Sequence, residues 1–346
     1  MGSNLGTIAV IGNDAAKHGK AKKICEYVFE SLQRAGEEHG FNCIDITGDS
    51  YNSSLHNARI HANDYDYVVV IGGDGMVSLG VNAVAGTNKP LGIVAVGSGN
   101  DFARDLRLPI DRVDTAIAGI VGALVRGTYV DLDAGCAIVQ PCEGYENSEL
   151  FDEKDQQIHR YFAGILACGL DAVVNNHANN SKIANGSLRY LAAVLSEVRR
   201  LQPYGYHVRA ELHDGSIFEE DVITPLLSIA NSRHVGGGIE LCSYAKLDDG
   251  MLDMVWVHHM PSFRELTRAI SNVYNGKLLE TSLFRWQRVR NVEITQAEEG
   301  AEIPVLMADG EIVGNVPAKV SVHGNLLRIL VPPAVAHYTN LRVNNN

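Results

Sequence analysis

The sequence predicts an α/β plus β protein in two parts: an N-terminal α/β domain on a parallel-type sheet, residues 1–133, and a C-terminal β-sandwich or barrel, residues 134–330. Three observations point there. The chain has 346 residues, enough for about two domains of ordinary size. Its first third alternates short apolar runs with segments of helical periodicity, the pattern of a parallel sheet covered on both faces. Beyond residue 134 many short strand-like runs follow one another through turns.

The first part reads in order as follows. "GTIAVIGN" is a short buried strand. "GKAKKICEYVFESLQRAGEEHG" is a helix, because Ile24, Val28, Leu32 and Ala35 recur on one face and Gly36 or Gly40 can end it. "FNCIDIT" is a second strand, and residues 53–62 are a candidate helix. "YDYVVVIGG" is a third strand, followed by a helix with Val77, Val81 and Val84 on one stripe. "PLGIVAVG" is a fourth strand, "VDTAIAGIVGALVRG" a helix, and "TYVDLDAG" opens another strand.

In the second part, "QPCEGYENSELFDEKDQQ" is acidic and turn-rich and reads as an exposed loop. "RYFAGILACG" is one strand and "SLRYLAAVLSEVRRL" a helix whose stripe Leu188, Leu191, Ala192 and Leu195 is core packing. The strand candidates that follow are "YGYHVRAEL", "SIFEEDV", "TPLLSIAN", "MLDMVWVHH", "RVRNVEITQ", "IPVLMADGE", "AKVSVHG" and "LLRILVPP". An amphipathic helix over residues 262–275 interrupts them.

Composition excludes several classes. The formal net charge of -12 argues against general nucleic-acid binding and against strong polybasic attraction to a membrane. The six cysteines form no C-x-x-C pair, which favours reduced thiols over a zinc site or a disulfide framework. The N-terminus shows no signal-peptide pattern, and no apolar run reaches the roughly 18 residues of a spanning helix. The expected location is cytoplasmic, at most peripheral at a membrane.

Two loops carry the chemistry. "GGDG" (residues 72–75) and "GSGNDFAR" (residues 97–104) each follow a strand, where open parallel sheets place their ligands. Gly72, Gly73 and Gly75 let backbone N–H groups approach a bulky anion, and the helix that follows points its positive end the same way. A carboxylate beside phosphates needs a cation between them. Asp74 and Asp101 therefore read as Mg²⁺ ligands, directly or through water. The alternative for either loop is a plain turn with an aspartate cap. The P-loop and G-x-G-x-x-G patterns are absent; Ala21 and Phe102 stand where they need a hydroxyl and a glycine.

With those loops in hand, the chain resembles the diacylglycerol kinase catalytic-domain family, which includes sphingosine kinases and soluble bacterial lipid kinases. The carrying segments are "GGDG", "GSGNDFARDL", "YVDLDAG", "GLDAVV", "ANSRHVGGG", "AKLDDGMLDM" and "ADGEI", in family order. The resemblance implies a nucleotide-binding N-terminal domain, joined by about residues 331–346, and a C-terminal β-sandwich that takes the lipid. It implies transfer of the ATP γ-phosphate, with Mg²⁺, to a lipid alcohol, diacylglycerol first and a long-chain base second. Gly72, Gly73, Asp74, Gly75, Gly97, Ser98, Gly99, Asn100 and Asp101 would line the triphosphate, with Arg104 bracing the second loop and Asn13 contributing from the first turn. Asp131 would join Asp74 and Asp101 in a water-mediated Mg²⁺ network. Asp309 would be the general base, supported by Glu311. A second, structural Mg²⁺ would sit at "LDDGML", on the Asp249 side chain and the backbones of Lys246 and Met251.

Other readings stand beside these. Asp249 and Asp309 both occur in D-G pairs that form turns on their own, and Asp171 reads as a helix cap. His258 and His259 read as surface or core rather than metal ligands, and Arg199 and Arg200 as a solvated helix end. Three positions depart from the family pattern: Leu79 replaces a carboxylate, Asn13-Asp14 replaces Asn-Pro, and Gly164 stands where Asn is common. Leu79 leaves open a non-catalytic nucleotide- or lipid-binding protein on the same fold. The expected partners are a lipid substrate, transient contact with a membrane surface and no nucleic acid. The oligomeric state stays open between monomer and homodimer.

Overall fold

The computed structural model describes residues 5–13, 20–145, 148–179, 201–332, 335 and 343–345. The chain forms two compact units, Met1–Leu132 with Asn325–Asn346, and Asp133–Gly324. The segment read as a helix with the stripe Leu188 to Leu195 and the pair Arg199 and Arg200 lies outside the described residues.

The first unit is an α/β layer structure. Strand β1 (Thr7–Gly12) pairs in parallel with β2 (Asn42–Asp45) on one side and β3 (Tyr67–Gly72) on the other. β3 pairs in parallel with β4 (Leu91–Ala95), and the far end of β17 (Glu311–Leu330) lies parallel beyond it, Ile329 opposite Leu91. Near-continuous Val and Ile in β1, β3 and β4 match strands buried on both faces. Helices α1 (Lys20–His39) and α5 (Val113–Arg126) close one core through Val28, Leu32, Ile117, Ile120 and Leu124 against Ile8, Val10, Val69 and Val94. Helix α2 (Tyr51–Ile60) starts at a Ser50–Ser53 capping box. Helix α3 (Asp74–Val84) is buried along most of its length, Val77, Leu79, Val81 and Val84 included. Strand β5 (Thr128–Gln140) pairs at its start with the terminal β18 (Val343–Asn345).

The second unit is antiparallel. It contains β6 (Phe151–Asp152), β7 (Gln157–Phe162), β8 (Ile165–Ala167), β9 (Tyr204–Leu212), β10 (Ile217–Thr224) and β11 (Leu227–Ala230). It continues with β12 (His234–Val235), β13 (Ile239–Glu240), β14 (Leu252–Val257), β15 (Phe284–Gln296), β16 (Leu306–Ala308) and most of β17. Pairings run β15–β14–β11–β8–β16–β17 and return from β17 to β15, which closes a circuit, while β9 and β10 extend the sheet from β15 and leave β10 at an edge. Helix α6 (Leu170–Asn179) follows β8, and α7 (Phe263–Asn272) follows β14.

Three elements differ from their reading in the sequence. "RYFAGILACG" is two strands, β7 and β8, interrupted at Ala163 and Gly164. "EIVGNVPAKVSVHGNLLRIL" is one strand, β17, because Gly314 and Asn325 take positive φ without ending the pairing. The acidic loop after β5 carries the short β6, which folds back on β7.

Candidate active site

The two glycine loops meet in the first unit. β3 and β4 are parallel neighbours with Gly72 opposite Ala95, so the loops leave the same end of the sheet. They pack backbone to backbone. A Cβ on Gly97 would stand 2.2 Å from Cα of Gly73, closer than any side chain tolerates. Asn13, after β1, lies at the same end, its Cβ 4.0 Å from where a Gly72 Cβ would be. Gly75 falls in the first turn of α3.

The second loop is shaped by its own asparagine. Asn100 sits at φ +58°, a left-handed conformation that Asn tolerates better than most residues. Its Oδ1 accepts from Gly97 N–H at 2.9 Å and its Nδ2 donates to Gly97 O at 2.8 Å, which folds Gly97, Ser98 and Gly99 into a tight bow. Arg104 donates from Nη2 to Gly99 O at 3.2 Å. Asp74 then joins the loops. Its Oδ1 accepts from Asp101 N–H at 2.7 Å and Phe102 N–H at 3.4 Å, at the start of α4 (Asp101–Asp105). Asp74 is thus a cap, of the neighbouring loop's helix rather than of its own.

The other oxygens of these two acids face one place. Asp74 Oδ2 lies 2.6 Å, and Asp101 Oδ2 3.6 Å, from the place a Gly99 Cβ would occupy. Two carboxylates converging on one glycine suit a hard divalent ion such as Mg²⁺. Asp131, in the same unit, accepts from Arg328 Nε at 3.1 Å, and that guanidinium lies 4.0 Å above the Tyr129 ring. The sequence reading did not include Arg328; its one signal was a lone cation inside the apolar run "LLRIL". Leu79 is fully buried in α3, so the departure from the family carboxylate falls inside the core.

In the second unit Asp309 and Gly310 form the two-residue turn between β16 and β17, both at positive φ, the geometry a tight hairpin favours. The turn and the acid are therefore one device. The Asp309 carboxylate folds back onto the break between β7 and β8. It accepts from Ala163 N–H at 3.1 Å, Gly164 N–H at 2.8 Å and Ile165 N–H at 3.2 Å. Although the residue is partly exposed, its carboxylate is enclosed. Burial pushes the carboxyl up to about 6, against the pull of those amides and of Arg160. Burial also raises Glu311, which Arg160 opposes. Arg160 is itself buried, and nearby Asn231 Oδ1 and Ser232 Oγ are buried with no hydrogen-bond partner. Sequence reasoning missed Arg160 and the Ala163–Ile165 amides.

The "LDDGML" turn is also in the second unit. Asp249 Oδ2 is ion-paired with Arg288 Nη2, while Asp249 Oδ1 is buried with no partner. Gly250 N–H donates to Asp133 Oδ2 at 2.6 Å and fixes the turn. An orphaned carboxylate oxygen there fits a cation, although Arg288 already balances part of the charge. The Lys246 side chain is exposed and that of Met251 buried, so only their backbones are of use to a metal. Asp171 is a buried cap that accepts from Gly169 N–H, Ala172 N–H and Ser228 Oγ.

Comparison with known proteins agrees with this architecture. Residues 7–135 match the diacylglycerol kinase catalytic domain, and residues 164–331 match the YegS C-terminal NAD kinase beta sandwich-like domain. A diacylglycerol kinase of Mycobacterium tuberculosis (strain ATCC 25618 / H37Rv) is 29% identical over 333 residues, covering 95% of this chain and 96% of that protein. The diacylglycerol kinase of Bacillus subtilis (strain 168) is 24% identical, covering 90% and 91%. A solved diacylglycerol kinase from Bacillus anthracis str. Sterne shares the fold with a TM-score of 0.68 at 19% identity, covering 95% and 98%. Paired glycine loops, the hairpin aspartate and matches along nearly the whole chain lead to one assignment: the chain belongs to the diacylglycerol kinase catalytic-domain family and is a lipid kinase.

Proposed function

We propose that this protein transfers the γ-phosphate of ATP to the hydroxyl of a lipid alcohol, diacylglycerol in the first place, with Mg²⁺. Asp309 carries the reading. A hydroxyl is a weak nucleophile, and a positioned base contributes about 10²–10⁴-fold when its pKa lies near the working pH. The Asp309 carboxyl, at about 6, meets that condition, and three amides fix its direction.

In this reading the first unit binds nucleotide and the second binds lipid. The Gly73–Gly97 contact holds two backbone loops at one sheet end, where their N–H groups cradle phosphate oxygens. Asp74 and Asp101 hold the cation, whose charge offsets that of the phosphates and the moving phosphoryl group. Asn100 and Arg104 keep the second loop in shape. Asp309 takes the proton from the acceptor hydroxyl, and Glu311 with Arg160 sets the field around it. The turn at Asp249 holds a second, structural cation. Glycerolipid is favoured over a long-chain base because Val173 stands where sphingosine kinases carry an amine-pairing aspartate.

The test is a panel of lipid alcohols in mixed micelles with Mg²⁺ and γ-labelled ATP. Label in diacylglycerol above label in sphingosine supports the proposal. Nucleotide binding with no labelled lipid refutes it in favour of a non-catalytic binder.

A further inference from the structure

We propose that the exposed side of α7, with the turn before it, is the surface by which this protein docks on an anionic lipid bilayer. The idea rests on the lipid-kinase reading only for why a bilayer is the relevant partner; the surface itself follows from the residues.

Helix α7 is a rigid element. Ser262 caps Glu265 N–H at 3.4 Å, and the Glu265 carboxylate returns to Ser262 N–H at 2.9 Å. One side is used in packing: Ala269 and Val273 join Leu241, Leu278 and Leu283 in the core of the second unit. The exposed side is not apolar-free, as a solvated helix face usually is. Phe263 is 81% exposed, the most exposed large apolar side chain among the described residues. Met260 at 45% and Tyr274 at 50% lie in the turns before and after the helix, and Thr267, one turn on from Phe263, is exposed with it.

Charge selects the partner. Arg264 and Arg268 stand exposed one turn apart beside Phe263, with Lys277 beyond. Glu265 is the one acid from residue 258 to 277, and it is tied to Ser262 Oγ at 2.7 Å and His259 Nε2 at 2.9 Å. This cationic face belongs to a chain of net charge -12, so an anionic surface repels most of the molecule and attracts it here. Aromatic and arginine side chains on one face are the signature of a helix lying in a lipid interface, with the ring among acyl chains and the guanidinium groups at the headgroups. A second copy of the chain is a poorer occupant, because a two-fold contact through this face sets arginine against arginine.

The test is co-sedimentation of the full chain with phosphatidylcholine vesicles, with and without phosphatidylglycerol. The wild type is expected to bind only the anionic vesicles, and Arg264→Glu with Arg268→Glu to weaken that binding more than about tenfold. Phe263→Ser, at a site with no core contact to lose, is expected to weaken it severalfold with an unchanged melting temperature, so the result does not hinge on the folding of the double variant. Activity toward a dispersed short-chain diacylglycerol should stay at the wild-type level in both. Equal binding to both vesicle types, undiminished binding by the variants, or a wild-type dimer that Phe263→Ser dissociates overturns the proposal. Anionic-vesicle binding that both variants weaken, in a protein that phosphorylates nothing, upholds this surface and refutes the proposed phosphoryl transfer.

Discussion

The Asp309 carboxylate occupies the space in which a side chain on Gly164 would begin: Oδ1 lies 2.5 Å from the position of a Gly164 Cβ. In this arrangement a side chain at position 164 would compete with the acid for the place from which it reaches the amides of Ala163, Gly164 and Ile165. Gly164→Ala is expected to push the carboxylate off them, a cheap move for a flexible side chain, so melting should shift by only a few degrees. Turnover should fall at least about tenfold. The acidic limb of the pH–rate profile should move upward, because the lost amide bonds had favoured the ionised form. An unchanged profile would mean that the amides do not set the base.

Asp74 does two things that substitutions can separate. Asp74→Asn keeps an oxygen for the Asp101 and Phe102 N–H groups but loses the charge beside Asp101. It should melt like wild type and bind Mg²⁺-ATP more than about tenfold more weakly. Asp74→Ala loses the cap as well and should be less stable by about 1 kcal/mol. Calorimetry of nucleotide binding alongside thermal melts reads both; equal nucleotide affinity in all three proteins would remove Asp74 from the metal site.

Asp171 makes stability depend on pH. Burial raises its carboxyl to about 6, above the ordinary 3.8, although Ser228 Oγ and two amides favour its ionised form. The folded state therefore holds this proton more tightly than the unfolded chain. The linked stability is present in full below about 4, is lost as pH rises to 6, and stays absent above. The change is about 3 kcal/mol at most. Denaturant titrations from pH 4 to 7 should show that slope in the wild type and a flatter one in Asp171→Asn.

The turn at Asp249 predicts a structural response to metal. Mg²⁺ should raise the melting temperature of the wild type in a saturable way, by the stability that ligand binding to the native state confers. Asp249→Asn should abolish the response. Arg288→Ala should strengthen it, because the guanidinium on Asp249 Oδ2 is then gone. A melting temperature indifferent to Mg²⁺ and to chelator in all three proteins would leave Arg288 as the only counter-charge there.

The sequence showed most of this through pattern. Val68 to Ile71, ending in glycines, could only be a buried strand opening into a loop, and β1, β3 and α1 follow from the same kind of reasoning. The break between β7 and β8 was hidden, because "YFAGILACG" is apolar on both sides of Gly164 and its amides turn toward a residue 145 positions away in sequence. Arg160, Arg288 and Arg328 were hidden for a related reason. Each sits within a strand where no motif marks it, and its relation to Asp309, Asp249 or Asp131 exists only after strands distant in sequence have paired. Motif spacing identified the acids; their partners come from topology.

The central claim is that Asp309 activates a lipid hydroxyl toward ATP. The most direct measurement is transfer of label from γ-labelled ATP to diacylglycerol by the wild type and by Asp309→Asn, with ATP affinity measured on the same preparations. The account predicts a loss of about 10²–10⁴-fold in turnover with ATP affinity nearly unchanged. A variant that phosphorylates the lipid at the wild-type rate would contradict it.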